Sequence, residues 1–163
     1  MSVHRLDATQ VVPIELDEAW SFFSDPGNLS LITPPWLGFT ITSPDLPPRV
    51  YEGLIIAYTV RPVLNVPVRW VAEITHVRER EYFVDEQRSG PYAFWHHQHH
   101  FRLVDGGTEV RDTVHYAAPL GPLGDLVVRF QVKGKLDQIF AYRRKVLERR
   151  FGSTRPAPGT LRA

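Results

Sequence analysis

The chain contains no cysteine, which excludes disulfides, thiolate metal sites and a cysteine nucleophile. It also lacks an excess of either charge: 19 Lys and Arg stand against 18 Asp and Glu, a net charge of +1. A dedicated nucleic-acid binder is usually strongly basic. No segment approaches the ~20 apolar residues of a membrane span, and the opening Met1-Ser2-Val3-His4-Arg5-Leu6-Asp7 has no apolar run resembling a signal peptide. The expectation is a cytoplasmic protein with no nucleic-acid partner and no stable membrane association. Catalytic motifs are missing as well. Ser21, Ser24, Ser30, Ser43 and Ser89 belong to no nucleophile elbow, and no glycine-rich phosphate loop lies between a strand and a helix. Hydrolase, kinase and nicotinamide-dependent readings all lose support.

What is present suits one folded unit. With 163 residues, of which 43% are hydrophobic and 23% charged, the chain can build a real core. Residues 1–152 read as a single domain and residues 153–163 as a disordered tail. Residues 3–12 read as a first strand. A short helix with an acidic first turn follows over residues 15–23, and Asp25-Pro26 opens a second through Ile32. Thr33-Pro34-Pro35 stops it. Six further strands are expected over residues 37–42, 53–61, 66–77, 82–88, 94–104 and 108–116, separated by turns short enough to join antiparallel neighbours. Within 82–88 either Phe83, Asp85 and Gln87 face inward, or Tyr82, Val84 and Glu86 do.

The period then changes. Residues 125–151 contain no proline and end at Gly152, a good helix-terminating residue. Val132, Leu136, Ile139, Phe140, Arg143 and Leu147 recur at helical spacing, so this long helix is the natural cover for one face of the sheet. Gly134 within it marks either a close approach or a bend. Basic residues, Arg143 among them, crowd the last turns, where they complement the negative helix end.

The segment Trp95-His96-His97-Gln98-His99-His100-Phe101 holds four of the seven histidines. As a strand it sends Trp95, His97, His99, Phe101 and Leu103 to one face, and His96, Gln98, His100 and Arg102 to the other. The first set is apolar with two imidazoles embedded in it, and buried imidazoles need partners. Taking Gly106-Gly107 as a two-residue turn sets His97 opposite Tyr116, His99 opposite Val114 and Phe101 opposite Asp112. Asp112 then lies diagonally within reach of His99, while Arg102 falls unfavourably opposite Arg111.

Trp20-Ser21-Phe22-Phe23-Ser24-Asp25-Pro26-Gly27-Asn28-Leu29, then Thr33-Pro34-Pro35, then Gly90-Pro91-Tyr92 leading into Trp95, His97, His99 and Phe101 follow one another in order. Asp112, Tyr116 and Pro119 through Gly124 close the series. In this order the pieces resemble the START/SRPBCC superfamily, in its bacterial polyketide cyclase/dehydrase-like branch, over about residues 3 to 151. The resemblance implies an α+β helix-grip fold. In it a curved seven-stranded antiparallel sheet wraps around the long C-terminal helix, with two short helices after the first strand. It further implies a hydrophobic or amphipathic small molecule bound between sheet and helix, and no cofactor.

The candidate ligand-binding residues are Trp70, Trp95, His97, His99, Phe101, Asp112, Tyr116 and Phe140, with His97, His99, Asp112 and Tyr116 as a polar floor. Two alternatives stay open. One is a cyclase or dehydrase using His99 and Asp112 as acid/base catalysts; the other is a protein–protein interaction module whose cavity is filled. A zinc site would need a third ligand beside His97 and His99, with Asp112 the candidate. His96 and His100 point away and the resemblance implies no metal, so none is expected.

Overall fold

A computed structural model describes residues 2–61, 66–119 and 132–154. One antiparallel sheet of seven strands organises them: β1 (His4–Val12), β2 (Thr40–Ile41), β3 (Ile55–Val60), β4 (Val68–Arg78), β5 (Tyr82–Ser89), β6 (Phe94–Val104) and β7 (Gly107–Ala117). Their spatial order is β1-β7-β6-β5-β4-β3-β2. From β2 to β7 the chain therefore meanders between neighbours, and β1 closes the far side against β7. Helix α1 (Leu16–Phe23) follows β1, and helix α2 (Lys133–Phe151) ends the domain. The part of the expected long helix before Val132, and the expected tail beyond Thr154, lie outside the described residues.

Helix α1 buries Ala19, Trp20, Phe22 and Phe23, an apolar stripe that gives a two-turn helix its stability through packing. The expected second short helix is a 3-10 turn over Pro26–Ser30, opened by Asp25, whose carboxylate accepts from the Gly27 N–H at 2.8 Å. The expected strand at 37–42 is shorter than its composition suggests. Pro35–Leu37 forms another 3-10 turn, and only Thr40 and Ile41 pair with β3. Two consecutive prolines fix φ and remove backbone donors, so pairing cannot start before Gly38, which itself adopts a left-handed φ of 56°.

Two clusters hold the layers together. Trp20, Phe22, Phe23, Phe83, Phe101 and Leu147 join α1, the sheet and the end of α2 in the larger one. The other places Val114, Tyr116, Ala118 and Leu136 between β7 and the start of α2. The inward residues Leu136, Arg143 and Leu147 of α2 are all buried, as the helical spacing predicts. Gly134 stands in the first turn of α2, and a Cβ there would meet nothing within 4 Å. Among the described residues no close approach explains it.

The β6–β7 register differs from the expected one by two residues. His97 pairs with Val114, His99 with Asp112 and Phe101 with Val110. A slip of two preserves which face each side chain occupies, so the inward set survives. The slip also turns the like-charged Arg102–Arg111 juxtaposition into Arg102 opposite Glu109, at 3.0 Å. Asp105 and Gly106 become the turn residues. Gly107 (φ 138°) instead passes so close to Val12 and Pro13 that a Cβ would collide with the Val12 carbonyl. Leu103, expected inward, is 57% exposed, because β5 begins opposite His100 and leaves Leu103 overhanging.

Candidate functional site

Between the sheet and α2 lies a cavity of about 420 Å³. Trp70, Ala72 and Ile74 of β4, Phe83 and Asp85 of β5, and Trp95, His97 and His99 of β6 form its sheet wall. Leu136, Ile139, Phe140 and Arg143 of α2 close it. The strand parity that gives β6 its two-faced pattern is what delivers both histidines to this wall. On β5 the structure resolves the open choice. Register shifts in β4 between Val71 and Ala72 and between Ile74 and His76 adjust the pairing, and Phe83 and Asp85 face the cavity.

Asp85 is opposite His97, and Asp112 is opposite His99, so the two imidazoles stand between two carboxylates. Their ring centroids are 3.8 Å apart. His97 Nε2 is 2.9 Å from Asp112 Oδ1, and His99 Nε2 is 2.7 Å from Asp85 Oδ2. The remaining nitrogens point the opposite ways: His97 Nδ1 lies 3.4 Å from Asp85 Oδ2 and His99 Nδ1 lies 3.0 Å from Asp112 Oδ1. That last contact is out of hydrogen-bonding line and acts as charge attraction only. Arg143 Nη1 donates to Asp112 Oδ1 at 2.8 Å, and Trp95 Nε1 donates to Asp85 Oδ1 at 3.3 Å.

Burial alone would raise the Asp112 carboxyl, but the Arg143 charge and the two imidazoles hold it well below the usual carboxylate range. Asp85 follows the same pattern, with burial opposed mainly by the two imidazoles, and ends below its ordinary value. The histidines diverge. Burial, reinforced by His99, lowers His97. His99 resists its burial because both carboxylates attract its proton, and it ends raised. Two imidazoles and one guanidinium thus face two carboxylates in a buried space.

The sequence-derived residues divide. Trp70, Trp95, His97, His99 and Phe140 border the cavity. Phe101 is instead in the core, edge-on to Trp20 at 5.5 Å. Asp112 lies behind the histidines, 4% exposed. Tyr116 pairs with Trp95 rather than His97 and packs with Val114 and Leu136. The polar floor of the cavity is therefore Asp85, His97 and His99 with Arg143 at its edge. Neither Asp85 nor Arg143 was chosen from the sequence as a site residue. The signal for Arg143 was present, a charged residue on an otherwise apolar stripe. For Asp85 there was none, since its strand had no clear inner face.

No curated protein matches the chain. Among solved structures, protein Ms6760 from Mycobacterium smegmatis is similar at 19% identity and a TM-score of 0.64, covering 92% of this chain and 98% of that one. TTHA0849 from Thermus thermophilus is similar at 18% identity and a TM-score of 0.63, covering 91% and 97%. Ara h 8.0201 is similar at 16% identity and a TM-score of 0.59, covering 90% and 98%. At these identities the likeness is one of fold, and the fold is the helix grip. The family model described as polyketide cyclase / dehydrase and lipid transport matches residues 12–141. Taken with the sheet, its gripped helix and the cavity between them, that match shows that the chain belongs to the polyketide cyclase/dehydrase and lipid transport family of the START/SRPBCC superfamily.

Proposed function

We propose that the protein binds a hydrophobic or amphipathic small molecule in the cavity beneath α2, with the molecule's polar end against Asp85, His97 and His99. The observation that carries this reading is the cavity itself. About 420 Å³ is left open beneath the helix, within the range of small-molecule sites, and its mostly apolar wall carries a few convergent polar groups. An interaction module with a cavity filled by side chains fits this volume less well. Trp70 borders the same cavity, and its Nε1 is buried with no hydrogen-bond partner among the described residues.

The test is native mass spectrometry of protein purified from its own host, followed by rebinding of the recovered molecule to three variants. Ala72→Trp, which fills the wall without touching the polar cluster, is expected to abolish binding. The double variant His97→Phe/His99→Phe is expected to weaken it at least tenfold. Unchanged affinity in both would remove the cavity from consideration. A catalytic reading finds one specific support, the opposite shifts of two imidazoles in one pocket. Its cavity-side pair is His99 with Asp85 rather than His99 with Asp112. Turnover of the recovered molecule that disappears in the third variant, Asp85→Asn, would favour it.

A further inference from the structure

The four contacts between the two imidazoles and the two carboxylates do not close as a simple hydrogen-bond network. Two of the four nitrogen–oxygen approaches are hydrogen bonds, His97 Nε2 to Asp112 at 2.9 Å and His99 Nε2 to Asp85 at 2.7 Å. The other two are not: His99 Nδ1 is out of line with Asp112, and His97 Nδ1 stands 3.4 Å from Asp85 Oδ2 on the cavity side.

On that side three donor atoms converge. Asp85, His97 and His99 each offer one ligand atom within 4.8 Å of the others; Asp85 Oδ2 is 3.4 Å from His97 Nδ1 and 2.7 Å from His99 Nε2. Two ligands on a tetrahedral ion with bonds of about 2.0–2.2 Å stand roughly 3.3–3.6 Å apart. The Asp85–His97 edge already has that length at 3.4 Å, and the Asp85–His99 edge, at 2.7 Å, must open by a fraction of an ångström. The opposite ring nitrogens, His97 Nε2 and His99 Nδ1, both face Asp112 Oδ1 at 2.9 and 3.0 Å. Arg143 holds that carboxylate in turn at 2.8 Å. A carboxylate hydrogen-bonded to the second nitrogen of a metal-binding imidazole, fixing its tautomer and orientation, is the usual support of such a ligand; Asp112 gives it to His97 and attracts His99 by charge alone. All three donors also border the cavity, so a fourth coordination position would open toward whatever the cavity holds.

We propose that Asp85, His97 and His99 form a site for one divalent transition-metal ion, with Asp112 and Arg143 as its positioning residues. A two-nitrogen, one-oxygen set without sulfur suits Zn²⁺, Co²⁺, Fe²⁺ or Ni²⁺. With the ion in place, both cavity-side nitrogens and the Asp85 oxygen donate lone pairs to it, and the His97 Nε2–H donates back to Asp112. The open position would polarise an oxygen of the bound molecule as a Lewis acid. The sequence could not supply this set, because the third ligand comes from the strand whose inner face was undecided, and Asp112 is behind the rings.

The experiment is titration of tag-free, chelator-stripped protein with Co²⁺ and, by competition, Zn²⁺. It is followed by equilibrium dialysis with elemental analysis and by visible absorption. One equivalent of Co²⁺ with the intense visible bands of a four- or five-coordinate ion is expected. Asp85→Asn and His99→Gln are expected to weaken binding at least 100-fold, and Asp112→Asn about 10- to 100-fold. The outer-face double variant His96→Gln/His100→Gln should bind as the parent does. No stoichiometric binding by the parent protein, weak bands of a six-coordinate aquo ion, unchanged affinity in Asp85→Asn, or loss in the outer-face variant would each overturn the proposal. The parent titration decides even if a site variant fails to fold, which near-ultraviolet circular dichroism would show. Small-molecule binding is measured on the stripped protein, so either result can fail without the other.

Discussion

Replacing Arg143 by methionine keeps most of the side-chain length and removes the guanidinium that donates to Asp112 at 2.8 Å. Both groups are buried, at 8% and 4% exposure, so water cannot take over the lost partner. Two unit charges about 4 Å apart attract by about 4 kcal/mol at the effective dielectric of a protein site, and removing one member of a buried pair costs about 3–5 kcal/mol. For a domain of this size each kcal/mol lowers Tm by roughly 2–4 °C, so a fall of about 6–20 °C is expected. Urea unfolding of the parent, Arg143→Met, Asp112→Asn and the double variant, on metal-free protein at pH 7, gives the coupling directly. The double variant should recover at least ~1.5 kcal/mol, within the range of coupling energies for residues in contact.

The pH dependence supplies a second reading of the same pair. In the parent, the Asp112 pKa lies below its unfolded value. Its stabilisation is therefore present above about pH 3.9 and is lost as the pH falls through the folded pKa. Without Arg143 the buried carboxylate gains from protonation, so the stability gap between variant and parent should narrow on acidification. A loss under about 1 kcal/mol, zero coupling or a pH-independent gap would refute the reasoning, and would mean that the imidazoles alone hold Asp112.

Leu147 is 2% exposed in the cluster that joins α2 to α1. Leu147→Ala should cost about 2–5 kcal/mol in urea unfolding, without altering small-molecule affinity, since Leu147 does not border the cavity. Gly107→Ala should cost more than Gly106→Ala, the first by more than about 2 kcal/mol and the second by about 1 kcal/mol. A Cβ at 107 meets the Val12 carbonyl, whereas one at 106 meets only Thr154 Cγ2 at 3.8 Å. Thermal melts of both would show the order, and equal losses would contradict it. Trp70→Phe, which deletes the unpartnered indole N–H with modest loss of packing, should weaken binding of the recovered molecule several-fold while leaving Tm within a few degrees.

Alternation along β6 was legible because its residues differ sharply by face: Trp95, His97, His99 and Phe101 against His96, Gln98, His100 and Arg102. A two-residue error of register left that reading intact, since period-2 parity is unaffected by an even slip. The error did misplace the partners. Asp112 is directly opposite His99 rather than diagonal to it, and Tyr116 moved away from His97. On β5 the pattern Tyr82-Phe83-Val84-Asp85-Glu86-Gln87 offers apolar and acidic residues to both faces, and both Phe83 and Val84 are buried. Parity therefore carries no information there. Trp36 and Phe94 are 47% and 41% exposed while Trp70 is buried, a difference that depends only on what covers them.

By itself, the sequence determined the order of elements, the inward pair His97 and His99, and the helix that closes the cavity. These follow from local periodicity and turn chemistry, which each segment carries within itself. The tertiary structure alone decided that Asp85 and Arg143 join the histidines while Asp112 retreats behind them. That outcome depends on the register between strands and on the rotation of α2 over the sheet. Both are set by packing among segments as much as 135 residues apart, as Thr9 and Arg144 are, which no local pattern encodes.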